Sequence, residues 1–490
     1  MPVDDAEAGN FDLVVAGCGV AGLSAAATAA ELGLRVAVIE RATREQRGGQ
    51  SRYTEAYLRM KSHDEVSDDF TTHLAENAGY YVDPDLTGEM AGPRASWSHI
   101  TRSLGVPDTA VIEALADNVP RTVAWLKTLG VRFDFLPTQF LTKSQPRLLP
   151  VGGGEALVEA LAAAAEQRGV VFHYETTAQQ LLCDAAGPVR GLVCRTRAGA
   201  TLQLRGRVVL ACGGFEGNPE MLTRYLGPRA AYLRPVCKGG HYNKGEGIDM
   251  ALCIGAAPCG DFGSYHAEPV DPRSGIAEPS IFIFPYGVLI NRAGQRFTDE
   301  APGTVDAWYE RVTRRIYEQD QGIAWVILDQ KVKDIPNYRL GIRTDQPAVE
   351  APTLDELAVR LGLPPEALNE TIREFNSGCR PGRYDPLHLD GLATIGVTPR
   401  KSNWSLPIDR GPFLAYPIIS SNVFTFGGLK VDEHGQVLDA DGEPLGGLYA
   451  AGETVGLYHG NYTGATSVLK GLVFGRLAAE HAARTAQVAR

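Results

Sequence analysis

Residues 12–40 read DLVVAGCGVAGLSAAATAAELGLRVAVIE, and the reading of this stretch decides the fold. DLVVA (12–16) is short and mostly apolar, as a strand buried on both faces of a parallel sheet must be. Gly17, Gly19 and Gly22 then turn the chain. LSAAATAAELGL reads as an alanine-rich helix ended at Gly33, and RVAVIE (35–40) as a second strand. Strand, glycine turn, helix and strand in this order make a βαβ unit, which predicts a doubly wound α/β sheet. Each glycine of G-x-G-x-x-G has a reason: the first allows the tight turn, the second lets backbone approach a pyrophosphate, and the third lets helix and strand pack closely. The helix start supplies free N–H groups and the positive end of its dipole. Glu40 lies 23 residues after Gly17, where it can accept both hydroxyls of a ribose and disfavour a 2′-phosphate.

At 490 residues the chain exceeds what one core usually supports, so two domains are expected, one inserted into the other. Its 44% hydrophobic and 21% charged residues describe an ordinary globular α/β protein. A net charge of -11, with no long basic run, excludes a nucleic-acid partner. An anionic substrate would have to be met by arginines and histidines inside a cleft. The eight cysteines include no C-x-x-C pair, so no zinc ribbon, c-type haem or ferredoxin-like cluster is encoded. The opening MPVDDAEAGNFD is acidic where a secretory signal would be basic and then apolar. No apolar run reaches the roughly 18 residues that span a bilayer. The expectation is a cytoplasmic protein, linked to any membrane electron chain through another protein.

Further strands are predicted at VVFHYE (170–175), QLRGRVVLACGG (203–214) and LGGLYAAGE (445–453), with a helix over 154–168 and a long one over 467–487. From about Asp261 to Asp409, prolines and aromatics become frequent and short strands mix with helices such as TLDELAVRLG and PEALNETIREFNSG. The organisation read from this change is a discontinuous cofactor-binding domain, 1–260 and 410–490, around an inserted α+β capping domain, 261–409.

Several further segments recur in one family. RGGQSRYTE (47–55), ACGGFEGN (211–218), GEGIDMALCIGA (245–256), VLINRAGQRFTDE (288–300), FGGLKVD (426–432) and GLYAAGE (447–453) span nearly the whole chain. With GCGVAG, they make the sequence resemble the flavoprotein subunits of fumarate reductase and succinate dehydrogenase and the related 3-ketosteroid Δ1-dehydrogenases. RGGQS and NYTGATSVLKGLVFGR (461–476) liken it further to tricarballylate dehydrogenases. The resemblance implies a Rossmann-like FAD-binding domain, FAD, and oxidoreductase chemistry on CH–CH groups. Gly48, Gly49, Gln50 and Ser51 would let backbone lie against the pyrophosphate and isoalloxazine. Gly213 ends a strand at the sheet's carboxyl edge, Glu453 would bind ribityl or ribose hydroxyls, and the helix from Ser467 would aim its N-terminus at the flavin's N1–C2=O edge. Val20, Ala21, Arg41, Ala178, Ala211, Cys212, Gly452 and Val468 complete the expected cofactor site. Family members that bind flavin covalently carry a histidine near this first loop; here SRYTE offers Tyr53, so attachment is expected to be non-covalent.

Hydride transfer from a carbon next to a carbonyl or carboxylate needs groups that hold the substrate's oxygens and a residue that takes the neighbouring proton. His266, in GSYHAEP, and His459, in GLYHG, match the family's substrate-carboxylate histidines. In fumarate reductases an arginine that acts as the acid follows RF-x-(N/D)-E; at equal spacing Thr304 stands here. A second family arginine is also missing, with Tyr462 and Thr463 in its region. The expected proton-transfer residue is therefore Tyr462, with Tyr309 and Arg311 in reserve, and the expected further substrate ligands are Arg52, Arg59 and Thr463. The expected reaction forms a C=C bond next to a carboxylate or carbonyl, with a tricarballylate-like polycarboxylate leading. Electrons would leave to a separate acceptor. A 3-oxo (cyclic ketone or ketosteroid-like) dehydrogenase, an enoate reductase and, from another class, an electron-transfer subunit without its own substrate are the alternatives.

Overall fold

A computed structural model of the chain describes residues 7–135, 147–184 and 187–488. The first six residues of the acidic opening segment lie outside this range. Strand Glu7–Ala16 is the centre of an eight-stranded sheet. It pairs in parallel with Val36–Ile39 on one side and Thr201–Leu210 on the other. Val171–His173 and Pro444–Ala450 extend the sheet in parallel at the two flanks. Leu13 to Ala16 are all buried, since helices cover both faces, and this is why the strand reads as an unbroken apolar run. Thr176–Cys183 and Val189–Thr196 add an antiparallel pair on Thr201–Leu210, a hairpin the sequence reading did not include.

Helix Val20–Glu31 follows the glycine turn, and its alanines are among the most buried residues of the chain. Small side chains let another helix come close, and the helix that does so is the last, Ser467–Val488. A Cβ placed on Gly475 would stand 2.3 Å from the Ala21 carbonyl oxygen, so glycine is required at this crossing. The contact joins the two ends of the chain in one core. Helices Phe70–Glu76 and Thr109–Thr128 pack their apolar residues, Phe70, Leu115 and Val119 among them, onto that core.

The inserted segment builds a second sheet in the order Tyr265–Val270, Phe413–Thr425, Ile323–Leu328, Val288–Ile290, with Val349–Ala351 also on the long strand. Helices Val305–Tyr317, Leu354–Leu361 and Pro365–Gly378 accompany it. Its longest strand, Phe413–Thr425, and the two-residue strand Arg234–Pro235 paired with it lie outside 261–409. The shift in composition at Asp409 marks where the cap's surface ends, whereas the strand after it stays apolar because it is the sheet's interior. At its far end, the Thr425 N–H donates to Glu453 Oε1 (2.7 Å), which ties the cap sheet to the first sheet's carboxyl edge. Among the described residues no helix is long and apolar enough to cross a membrane.

Candidate functional site

A cavity of about 1230 Å³ opens at the carboxyl ends of the parallel strands. Gly17, Gly19, Val20, Ala21, Glu40, Arg41, Gly48, Gly49, Gln50, Ser51, Ala178, Ala211, Cys212, Gly213, Gly452, Glu453, Ser467 and Val468 all line it. Gly22 does not; it sits beneath the turn, where an added Cβ would be 2.0 Å from the Gly17 carbonyl oxygen. Gly19 caps the first helix with no side chain of its own, and the Val20 N–H donates to Ser51 Oγ (3.3 Å), so the helix start and Ser51 together face the cavity. Backbone N–H groups of Cys18 and Ala42 donate to the two Glu40 oxygens (3.0 and 2.8 Å) and hold the carboxyl in the cavity wall. Arg41 is drawn aside by Glu246 (2.6 Å). At the opposite end stand Glu453, the start of the last helix and Phe424. An anion-binding turn in the middle, a ribose-binding acid at one end and a flat apolar floor at the other fit an extended dinucleotide with a second ring system.

A second pocket, of about 790 Å³, adjoins the first, and Thr54, Val423, Phe424, Ser467 and Val468 line both. Its wall holds His266, Tyr309, Tyr462, Arg147 and four carboxyl groups, those of Glu55, Glu268, Glu278 and Asp306. His266 Nε2 lies 2.6 Å from the Tyr309 hydroxyl, while its Nδ1 is buried with no hydrogen-bond partner among the described residues. Burial lowers His266 to about 3, so the imidazole is neutral. Burial pushes the Tyr309 hydroxyl well above its ordinary value, so it keeps its proton. Arg147 Nη2 is 3.9 Å from Asp306 Oδ2.

The FAD binding domain family matches residues 12–469 of the sequence. The chain belongs to this family. It is 28% identical to 4-oxocyclohexanecarboxylate 2-dehydrogenase of Sinomonas cyclohexanicum, over 94% of this chain and 90% of that one. It is 27% identical to NADH:acrylate oxidoreductase of Vibrio harveyi over 96% of its own length, and spans only 50% of that protein. Its fold superposes on 3-ketosteroid-delta4-(5alpha)-dehydrogenase of Rhodococcus jostii RHA1 with a TM-score of 0.67 at 25% identity, covering 98% of each chain. On the open form of a flavocytochrome c3 fumarate reductase the TM-score is 0.72 at 23% identity, over 98% of this chain and 79% of the other. The chain is thus an FAD-dependent oxidoreductase of the group that acts on CH–CH bonds.

The second pocket adjoins the FAD cavity at Phe424, Ser467 and Val468. Lys470, which the sequence reading passed over, lines this end one turn into the last helix. It is buried, donates to the Val455 carbonyl (2.7 Å) and lies over the Tyr458 ring at 4.9 Å. Burial brings it down to about 8, with Glu453 opposing, so it carries its charge at neutral pH. A buried cation favours the negative charge that flavin gains on reduction. Lys470→Met is therefore expected to lower the flavin midpoint potential by on the order of 30 mV, measured by anaerobic potentiometric titration. Asn243 was likewise missed; its Nδ2 reaches Glu453 Oε2 at 3.4 Å and also bonds Glu216. Only backbone geometry brings residue 243 beside residue 453.

Several expected substrate ligands stand elsewhere. Arg52 is held by Glu155 (2.5 Å) and Glu159 (2.7 Å), two acids one turn apart on helix Gly153–Gln167, and does not line the pocket. Arg59 is buried behind it, paired with Asp69 (2.5 Å) and donating to the Gly464 carbonyl (3.2 Å), so it positions a lining residue. Thr463 Oγ1 is used up by Asn77 (2.9 Å) and the His73 carbonyl (3.0 Å). His459 lines a different groove, beside Tyr80 and Asp261, because its N–H is bound to the Asn77 carbonyl (2.7 Å). Arg311 is exposed and stacks on Trp308 at 4.9 Å. Tyr462 does line the pocket, but its oxygen accepts from the N–H groups of Thr466 (3.0 Å) and Ser467 (3.1 Å) and bonds Ser467 Oγ (3.0 Å). It caps the start of the last helix. Arg147, from a segment that carries no motif, also lines the pocket.

Proposed function

We propose that the chain removes a hydride and a proton from adjacent carbons of a small substrate, forming a C=C bond next to a carbonyl or carboxylate. The observation that supports this reading is the wall common to the FAD cavity and the second pocket, across which a substrate in the second pocket would meet the flavin. Bound FAD supplies the two-electron acceptor. The protein's part is to hold the substrate's oxygen, exclude water and move one proton. His266 Nδ1, buried and unpartnered, is placed to bind that oxygen. Tyr309 and His266 together form the proton-transfer pair: along their 2.6 Å hydrogen bond the Tyr309 hydroxyl can take the substrate's proton as it passes its own to His266 Nε2, and the positive charge then rests on the imidazole, opposite the negative charge that develops on the bound oxygen. Phe282 and Phe424 keep the pocket apolar between these groups. Electrons then pass to a separate acceptor.

The named relatives work in both senses, one as a dehydrogenase of a cyclic keto acid and one as an acrylate oxidoreductase. A tricarboxylate such as tricarballylate, expected from the sequence likeness, draws no support from the lining, whose described residues offer four carboxyl groups and one arginine. The test is anaerobic mixing of the FAD-loaded protein with a panel of ketones, keto acids and carboxylates. Bleaching of the flavin absorbance by a ketone or keto acid is the expected result. If the oxidised protein bleaches with none, while the photoreduced protein is reoxidised by an enoate such as acrylate, the reaction runs in reverse and this reading fails.

A further inference from the structure

Strand Tyr265–Val270 places His266 and Glu268 two residues apart, hence on the same face, and both line the pocket. Glu268 is buried at 7% exposure, and Ser280 Oγ donates to its Oε1. Glu278 closes the same corner, equally buried, and its backbone sits at φ 48°, a conformation costly for a residue with a side chain. Strain at a pocket wall points to a constraint on where that side chain must be. The nearby cation is Arg343, which binds Glu55 and lies 3.4 Å from Glu278 Oε2, so its charge is divided between two acids. Arg147, the arginine of the pocket lining, stands with Asp306.

Among the described residues this corner therefore has more acid than base. Burial raises Glu268 to about 7, and burial together with Glu268 raises Glu278 well above the carboxylate range. Two carboxyl groups so placed retain a proton between them at neutral pH. Sharing one proton, the pair keeps one negative charge: its protonated member donates a hydrogen bond to a carbonyl or hydroxyl oxygen, whereas a substrate carboxylate meets the charge that remains on the other.

We propose that Glu268, backed by Glu278, determines specificity by taking an uncharged oxygen of the substrate at this corner and rejecting a carboxylate there. The inference rests on the reading above that the second pocket is the substrate site. It names a ketone or hydroxy compound, which presents an uncharged oxygen to this corner, as the substrate class. It also explains how a fold similar to that of a fumarate reductase is turned away from dicarboxylates.

The experiment uses the FAD-loaded protein and two probes of similar shape, 4-oxocyclohexanecarboxylate and cyclohexane-1,4-dicarboxylate, with binding read from the perturbation of the flavin spectrum. The wild type is expected to favour the keto acid by at least about tenfold. In Glu268→Gln, which keeps shape and takes one ionisable carboxyl from the pair, the preference should shrink by about tenfold, mainly through tighter binding of the dicarboxylate. Equal affinity of the wild type for both probes, or an unchanged ratio in the variant, overturns the proposal. Should Glu268→Gln lose FAD or fold poorly, Glu278→Gln must move the ratio in the same direction, and failure to do so is equally fatal. Binding without bleaching would leave the charge selection standing while the dehydrogenase reading falls, so the two failures are distinguishable.

Discussion

Gly22→Val is expected to yield a protein that folds its cap but retains less than about a tenth of its FAD. Even the first carbon of a side chain at residue 22 would stand 2.0 Å from the Gly17 carbonyl oxygen and 3.2 Å from Val15. The neighbours are backbone and a buried strand residue, so neither can swing away. Relief requires helix Val20–Glu31 to lift from strand Glu7–Ala16, which carries Val20 and its N–H away from the cavity wall. Overpacking of this kind costs about 1–3 kcal/mol or more, and spent on the cofactor-bound state it weakens binding by about tenfold to over a hundredfold. Gly33→Ala is the control. Its added carbon meets nothing within 4 Å, although φ is +83°, so it should cost about 1 kcal/mol of stability and leave FAD content unchanged. Flavin absorbance per polypeptide and thermal unfolding measure both variants, and equal FAD loss in the two would refute the argument.

Tyr309→Phe is expected to keep FAD and the fold while lowering turnover by about 10²–10⁴, the usual contribution of a positioned proton-transfer group. The change removes only the oxygen that stands 2.6 Å from His266 Nε2. The same environment fixes the pH dependence. His266, lowered to about 3, is already neutral across the working range, and Tyr309, raised by burial, stays protonated there. The profile of kcat/KM should accordingly lack a histidine limb near its ordinary value of about 6.5. Stopped-flow reduction of Tyr309→Phe at near wild-type rates would remove the pair from the mechanism. Wild-type rates in Tyr462→Phe, by contrast, are compatible with its role as a helix cap.

Much of this was readable beforehand, for a physical reason. The cofactor half is set by local backbone rules: a turn that needs glycine, a strand that needs apolar residues, an acid at a strand end. Such rules leave marks at fixed spacing, and Gly17 to Glu40 carries them. The substrate half depends on which side chains meet after the cap folds over. Arg147 and Glu268 are ordinary residues in the sequence, and only packing makes one the pocket's cation and the other a buried acid. Arg52 and His459 are the opposite case, expected at the substrate and absent from the second pocket's lining. Both sit beside motifs, but Glu155 and Glu159 claim the first, and a backbone bond at Asn77 turns the second into another groove. Likewise the cap's boundary was drawn where composition changes, whereas the sheet continues into an apolar strand indistinguishable by composition from the core.

That strand, Phe413–Thr425, contributes the interior of the cap sheet, the floor shared by both pockets at Val423 and Phe424, and the Thr425 link to Glu453. The two lobes are thus not interchangeable modules. A cap transplanted onto another member of the fold must bring part of the cofactor's own bed with it. A substitution at Val423 or Phe424 therefore changes the surface of both cavities at once.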